Sequence, residues 1–178
     1  MIALTLAEIT AAVDGTLVAT DDAALADPAR IVDGPVETDS RLVVPGALFF
    51  AMRGENTDGA LFAESAVSNG AVLVFTEQRL DLPVAQIVVS DTLDALASLA
   101  REVVARVRAE GRLRVVGITG SNGKTTTKNM LRAILSTQGP TVAPQGSYNN
   151  QVGAPYTMLR ATDFLPDNIT LLINFANT

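Results

Sequence analysis

Residues 119 to 126 read Thr119-Gly120-Ser121-Asn122-Gly123-Lys124-Thr125-Thr126. Two glycines, a lysine and a run of hydroxyls at this spacing can hold phosphate. Gly120 and Gly123 let the backbone turn sharply with no Cβ in the way. The freed amides can then point inward at phosphate oxygens. Lys124 would reach the outer phosphates of ATP, and the Thr125 hydroxyl would ligate Mg²⁺. The nucleotide site expected from these residues is Gly120, Ser121, Asn122, Gly123, Lys124, Thr125 and Thr126, with Thr125 as metal ligand. One position departs from the strict pattern. Its first glycine falls on Ile118, and Gly117 stands one place too early.

Such a loop works only between a strand and a helix. Leu113–Ile118 is an apolar run that reads as the strand. Thr127–Thr137 reads as the helix, with Met130, Leu131, Ile134 and Leu135 as its inner face and Lys128 as a solvated charge. The helix N-terminus adds about half a positive charge facing the loop.

The rest of the chain alternates in the same way. Thr5 and Glu8 have the spacing of a capping box ahead of Leu6, Ile9 and Val13, and Gly15 closes that helix. Thr16–Ala19 reads as a short strand, and residues 20–30 as a surface excursion. The Pro45–Gly46 turn leads into the buried strand Ala47–Met52. Asp58–Gly59 turns into a helix through Phe62, Ala66 and Val67, stopped by Asn69–Gly70. Ala71–Phe75 and Gln86–Val89 read as strands. Asp91 or Thr92 caps a longer helix whose apolar face is Leu93, Leu96, Ala97, Ala100, Val103, Val104 and Val107. Glu110–Gly111 ends it. The pattern predicts an α/β protein with a small N-terminal α/β domain over 1–110, followed by the start of a Rossmann-like, parallel-sheet P-loop domain over 111–178.

Composition removes several kinds of chemistry. The 178 residues include no Cys and no His. Thiol nucleophiles, zinc–thiolate sites and imidazole bases are therefore out. Apolar residues make up 48% of the chain, enough for a buried core. The net charge is −6, which disfavours general nucleic-acid binding. The N-terminus lacks the basic flank of a signal peptide, and no apolar run approaches the roughly 20 residues of a membrane span. A cytoplasmic protein without nucleic-acid or membrane partners is expected.

The loop resembles that of the Mur ligases of peptidoglycan synthesis, which use a Thr-Gly-x-Asn-Gly-Lys-Thr form. Thr38-Asp39-Ser40-Arg41, Pro45-Gly46-x-Leu48-Phe49-Phe50-Ala51, Gly54 and Asp58-Gly59-x-x-Phe62 are similar to the N-terminal domain of the members that use D-alanyl-D-alanine. Gly146-Ser147-Tyr148-Asn149-Asn150-x-x-Gly153-x-Pro155-x-Thr157-x-Leu159 is similar to the segment after their first central-domain helix. The resemblance implies an ATP-dependent ligase. ATP would phosphorylate the carboxylate of a UDP-N-acetylmuramoyl tripeptide, and the amine of D-alanyl-D-alanine would attack the acyl phosphate. It also implies UDP-sugar contacts at Ser40, Arg41, Asn149 and Asn150.

The resemblance departs at three places. The family's His after Asp-Gly is Ala60 here, and the acidic residue after its paired Asn is Gln151. The Glu that helps hold Mg²⁺ at the end of its second central strand falls on Ile173 or Asn174, depending on register. The expectation is a truncated or diverged piece of such a ligase, without turnover on its own. A non-catalytic nucleotide- or UDP-sugar-binding module, a related ligase adding another residue, and an unrelated P-loop kinase or ATPase are the alternatives.

Overall fold

The computed structural model describes residues 1–18, 23–54, 57–111, 113–144, 152–161 and 169–174. The chain forms two compact units, Met1–Leu99 and Ala100–Thr178. The division falls inside a helix.

The first unit is built on a five-stranded sheet. Strands β2 (Thr16–Val18), β4 (Val36–Glu37), β5 (Leu48–Phe50), β6 (Leu73–Thr76) and β7 (Ala85–Val88) lie in the order β2-β7-β6-β5-β4. All neighbours run parallel except β2, which is antiparallel to β7. A parallel sheet is covered on both faces, so its strands read as continuous apolar runs. Leu48-Phe49-Phe50 and Leu73-Val74-Phe75 are buried throughout. Phe49 and Val74 join Val43, Ala47, Ala63, Ala66 and Leu82 in one cluster. On the opposite side of the pleat, Phe50 and Phe75 pair in register and stack at 3.9 Å between ring centroids.

Strand β1 (Leu4–Thr5) pairs antiparallel with β3 (Ile31–Val32). Helix α1 (Leu6–Ala12) starts at Thr5 as expected. The Glu8 amide donates to the Thr5 hydroxyl at 3.2 Å, and the Thr5 amide donates to the Glu8 carboxylate at 2.8 Å. The helix expected after Asp58–Gly59 is a 3₁₀ turn (Gly59–Phe62) running into α2 (Ala63–Ser68). Helix α3 (Thr92–Ala109) is capped by Asp91, which accepts from the amides of Leu93 and Asp94. Its buried stripe is Ala95, Leu96, Leu99, Ala100, Val103 and Val107.

The second unit has a parallel sheet in the order β8-β10-β9, formed by β8 (Leu113–Ile118), β9 (Thr141–Val142) and β10 (Ile169–Asn174). Helix α4 (Lys124–Leu135) follows the glycine loop directly, starting earlier than the apolar pattern placed it. Helix α5 (Gly153–Ala161) carries Pro155 in its first turn, where its missing N–H costs nothing. Among the described residues no helix is long and apolar enough to cross a membrane.

Two expectations about α4 are corrected. Leu131 and Leu135 are half-buried, but Met130 and Ile134 are 62% and 63% exposed. Lys128 is not a solvated charge. It is 3% exposed, and its ammonium donates to the Pro144 carbonyl at 2.7 Å. The inward stripe is therefore Lys124, Lys128, Leu131 and Leu135, an i, i+4, i+7, i+11 row. A long lysine can lie along an apolar stripe when its terminal charge finds an oxygen. Burial, with Arg132 nearby, holds the Lys128 ammonium below its ordinary pKa.

Candidate functional site

The glycine loop lies where β8 hands over to α4. Gly120 has φ +143° and Gly123 φ +77°, both in territory that L side chains rarely adopt. A Cβ on Gly123 would meet nothing within 4 Å, and one on Gly120 would come no nearer than 3.6 Å to the Asn122 carbonyl. The glycines are needed for backbone conformation, and the space around them is open. Gly123 occupies the cap position of α4, and its carbonyl accepts from the Thr127 amide at 2.9 Å. Ser121, Asn122, Gly123, Thr125 and Thr126 are exposed, while Gly120 and Lys124 are half-buried. The Lys124 ammonium donates to the Gly120 carbonyl and so folds back across the loop. An open loop, a helix N-terminus and a lysine at its base fit a polyphosphate.

Strand register settles which residue ends β10 beside the loop. Asn174 is paired with Ile118, the last residue of β8, and Ile173 is paired with Gly117. Ile173 is buried. The strand-end position beside the loop therefore belongs to Asn174. Among the described residues no group of three or more carboxylates could cage a cation. Thr125, in the first turn of α4, is the donor suited to a metal held mainly by phosphate oxygens.

A second concave feature lies in the first unit. A cavity of about 360 Å³ is lined by Ala51, Arg53, Asp58, Ala60, Thr76, Glu77, Gln78 and Ser90. These residues follow the C-terminal ends of β5, β6 and β7, the edge of a parallel sheet at which ligands bind. Asp58 accepts from the Ala60 amide at 2.9 Å, which starts the turn below the cavity. Gly59 is required in that turn, because a Cβ there would lie 2.4 Å from the Met52 carbonyl. Glu77 accepts from both the amide and the hydroxyl of Thr92, at 3.3 Å each. Arg53 is exposed at the rim. The lining thus offers a guanidinium, two carboxylates already engaged with main chain, an amide and two hydroxyls.

Neither Ser40 nor Arg41 lines this cavity. Ser40 is buried, and its carbonyl accepts from the Asn69 side chain at 2.9 Å. The Arg41 side chain is 85% exposed and pairs with Asp39 at 2.6 Å. Hydrogen bonds from Arg41 lower the Asp39 pKa from 3.8 to about 2. Asn149 and Asn150 lie outside the described residues. Sequence reading missed Arg53, Glu77, Gln78 and Ser90 as site residues. The available signal was the alignment of three parallel strand ends, which becomes visible only once strand order is known.

Fold and loop place the chain among α/β proteins built on a strand, glycine loop and helix. The Mur ligase middle-domain profile matches residues 118–172, and the profile described as Mur ligase family, catalytic domain, matches residues 35–113. The chain belongs to the Mur ligase family. It is 41% identical over 183 aligned positions to the UDP-N-acetylmuramoyl-tripeptide–D-alanyl-D-alanine ligase of Mycobacterium bovis, covering 91% of this chain and 35% of that protein. A crystal structure of MurF from Acinetobacter baumannii superposes with TM-score 0.79 at 31% identity, covering 98% of this chain and 36% of the other. The MurF ligase from Thermotoga maritima, solved in complex with ADP, gives TM-score 0.65 at 31% identity over 79% of this chain and 31% of that one. The chain thus spans about a third of the length of the relatives it matches.

Proposed function

We propose that this chain is part of an ATP-dependent ligase of peptidoglycan precursor synthesis. It joins D-alanyl-D-alanine to a UDP-N-acetylmuramoyl tripeptide through an acyl phosphate, in the cytoplasm. The glycine loop carries this reading. Backbone amides of Gly120–Gly123 hold the phosphates of ATP, Lys124 turns from the Gly120 carbonyl to the outer phosphates, and Thr125 and Thr126 place hydroxyls at the start of α4. ADP in the Thermotoga relative and the D-alanyl-D-alanine ligase named for the Mycobacterium relative support the assignment.

In this reading residues 1–110 serve the UDP-sugar and residues 111–178 begin the ATP-binding domain. Ser40, Arg41, Asn149 and Asn150 contact the UDP-sugar. The cavity at the strand ends takes its uridine end. Asp58 and Glu77 repel phosphate, and a nucleobase edge offers the donors and acceptors that such a lining can match. Thr125 would hold Mg²⁺ together with the phosphates, since β10 carries no carboxylate.

Asn174 favours a second reading, in which these residues bind nucleotide and UDP-sugar without turnover. Calorimetry with ATP–Mg²⁺ and a coupled ADP assay separate the two. The loop assignment predicts that Lys124→Ala weakens ATP binding by roughly 10- to 100-fold, the worth of a hydrogen bond to a charged group. Unchanged affinity would sink it. ADP release requiring both the UDP-muramyl tripeptide and D-alanyl-D-alanine supports the ligase. ATP binding without such release supports the second reading.

A further inference from the structure

One wall of the cavity is the connection that leaves β6 at Thr76 and returns at Ala85. Glu77 and Gln78 line the cavity from this connection, and Gln78 and Arg79 are exposed. An exposed connection of this kind is ordinarily the mobile part of a fold. Here it is gripped from the core. Gln86, on β7, is fully buried, with Val18 and Val74 as its partners on the flanking strands. Its amide accepts from the Leu80 N–H at 2.9 Å and donates to the Leu80 carbonyl at 2.8 Å. The side chain bonds Leu80 as a neighbouring strand would, through both main-chain groups of one residue. The Thr76 hydroxyl, also buried, donates to the Gln78 carbonyl at 3.0 Å. Glu77 is held by Thr92, at the start of α3.

A buried primary amide is costly unless both its ends are bonded. Ala85 and Ile87, its neighbours on the same strand, are the residues that plain packing would choose. Gln86 instead bonds both ends of its amide to the turn that carries the cavity wall.

We infer that Gln86 is a positioning residue for the cavity, fixing the Leu80 main chain so that Glu77 and Gln78 stand ready for the ligand. This rests on the reading above that the cavity takes the uridine end of a UDP-sugar. Gln86 touches no ligand. Its effect is to remove the ordering cost that binding would otherwise meet. A purely structural role would lower the melting temperature and leave the affinity of the folded protein intact.

The test uses the full chain, with UDP as probe, calorimetry for affinity and thermal melts for folding. Gln86→Leu keeps the volume and removes both bonds. Gln86→Glu keeps the size and the acceptor for the Leu80 N–H. The expected result is UDP affinity lowered roughly tenfold in Gln86→Leu, less in Gln86→Glu, with ATP–Mg²⁺ affinity unchanged in both. Wild-type UDP affinity in whichever variant folds overturns the inference, even if its melting temperature has dropped. Absence of UDP binding by the unmodified chain overturns the assignment of the cavity itself, and the inference with it.

Discussion

The two candidate sites of this protein are made in opposite ways. The glycine loop after β8 is made of backbone, and its shape comes from two residues at positive φ with open space around them. The cavity after β5, β6 and β7 is made of side chains, and its shape comes from buried groups that reach out of the core to hold a turn. A backbone site is written in a few consecutive residues. A side-chain site of this kind is written across three strand ends, with a lining that runs from Ala51 to Ser90. The first tolerates changes around it but not within it, and the second is vulnerable to changes at a distance.

That contrast can be broken by experiment. The largest effect is expected from Phe75→Ala, which removes a stacked ring directly ahead of Thr76. It should cost about 3–5 kcal/mol in denaturant unfolding and abolish UDP binding with it. A cost below about 1 kcal/mol would show that the cavity does not depend on the core beneath it.

Gly123→Ala comes next. A Cβ there meets nothing, so only the φ of +77° is at stake, worth about 1–2 kcal/mol. The loss should appear in ATP affinity and in the melting of α4 by circular dichroism. No loss in either would mean that the loop is not held in the conformation described.

Lys128→Met probes the ground under the loop. The Lys128 pKa is lowered by burial, so the unfolded chain binds more protons than the folded one in the alkaline range. Stability from this group therefore rises with pH, from the lowered value up to the ordinary 10.5. The variant should lose that slope in melts taken across this range, and a parallel pH profile would refute the burial.

Smallest is the Asp39–Arg41 pair. The carboxylate, depressed to about 2, contributes its stability above pH 3.8 and loses it as pH falls through about 2. The pair is exposed, so the effect on unfolding is slight. An NMR titration should find Asp39 near 2, moving toward 3.8 in Arg41→Ala.

Much of the fold was legible because its signals are local. Thr5 and Glu8 specify a helix start within a single turn, and the Leu48–Phe50 run specifies a buried strand. The glycine loop was legible for the same reason. Met130 and Ile134 mislead because apolar residues ordinarily mark the inner face of a helix. That face instead carries Lys128, whose charge is answered by a carbonyl that no sequence pattern announces. Strands β3, β4 and β9 have two residues each, too short for any alternation to register. The cavity was missed because it depends on strand order. Whether Ile173 or Asn174 stands beside the loop was equally undecidable until β10 was paired with β8.

The order β8-β10-β9 has a consequence for synthesis. Among the described strands, β10 lies between β8 and β9 and leaves the ribosome after both of them, and β8 and β9 are not neighbours in the sheet. While residues 113–142 are emerging, neither strand has its neighbour, and the glycine loop hangs from an unpaired β8. Met1–Leu99 contains all the partners of its own sheet and can fold by then. In the growing chain the cavity at the ends of β5, β6 and β7 is therefore completed first. The glycine loop gains its support only when residues 169–174 arrive and pair on both sides at once.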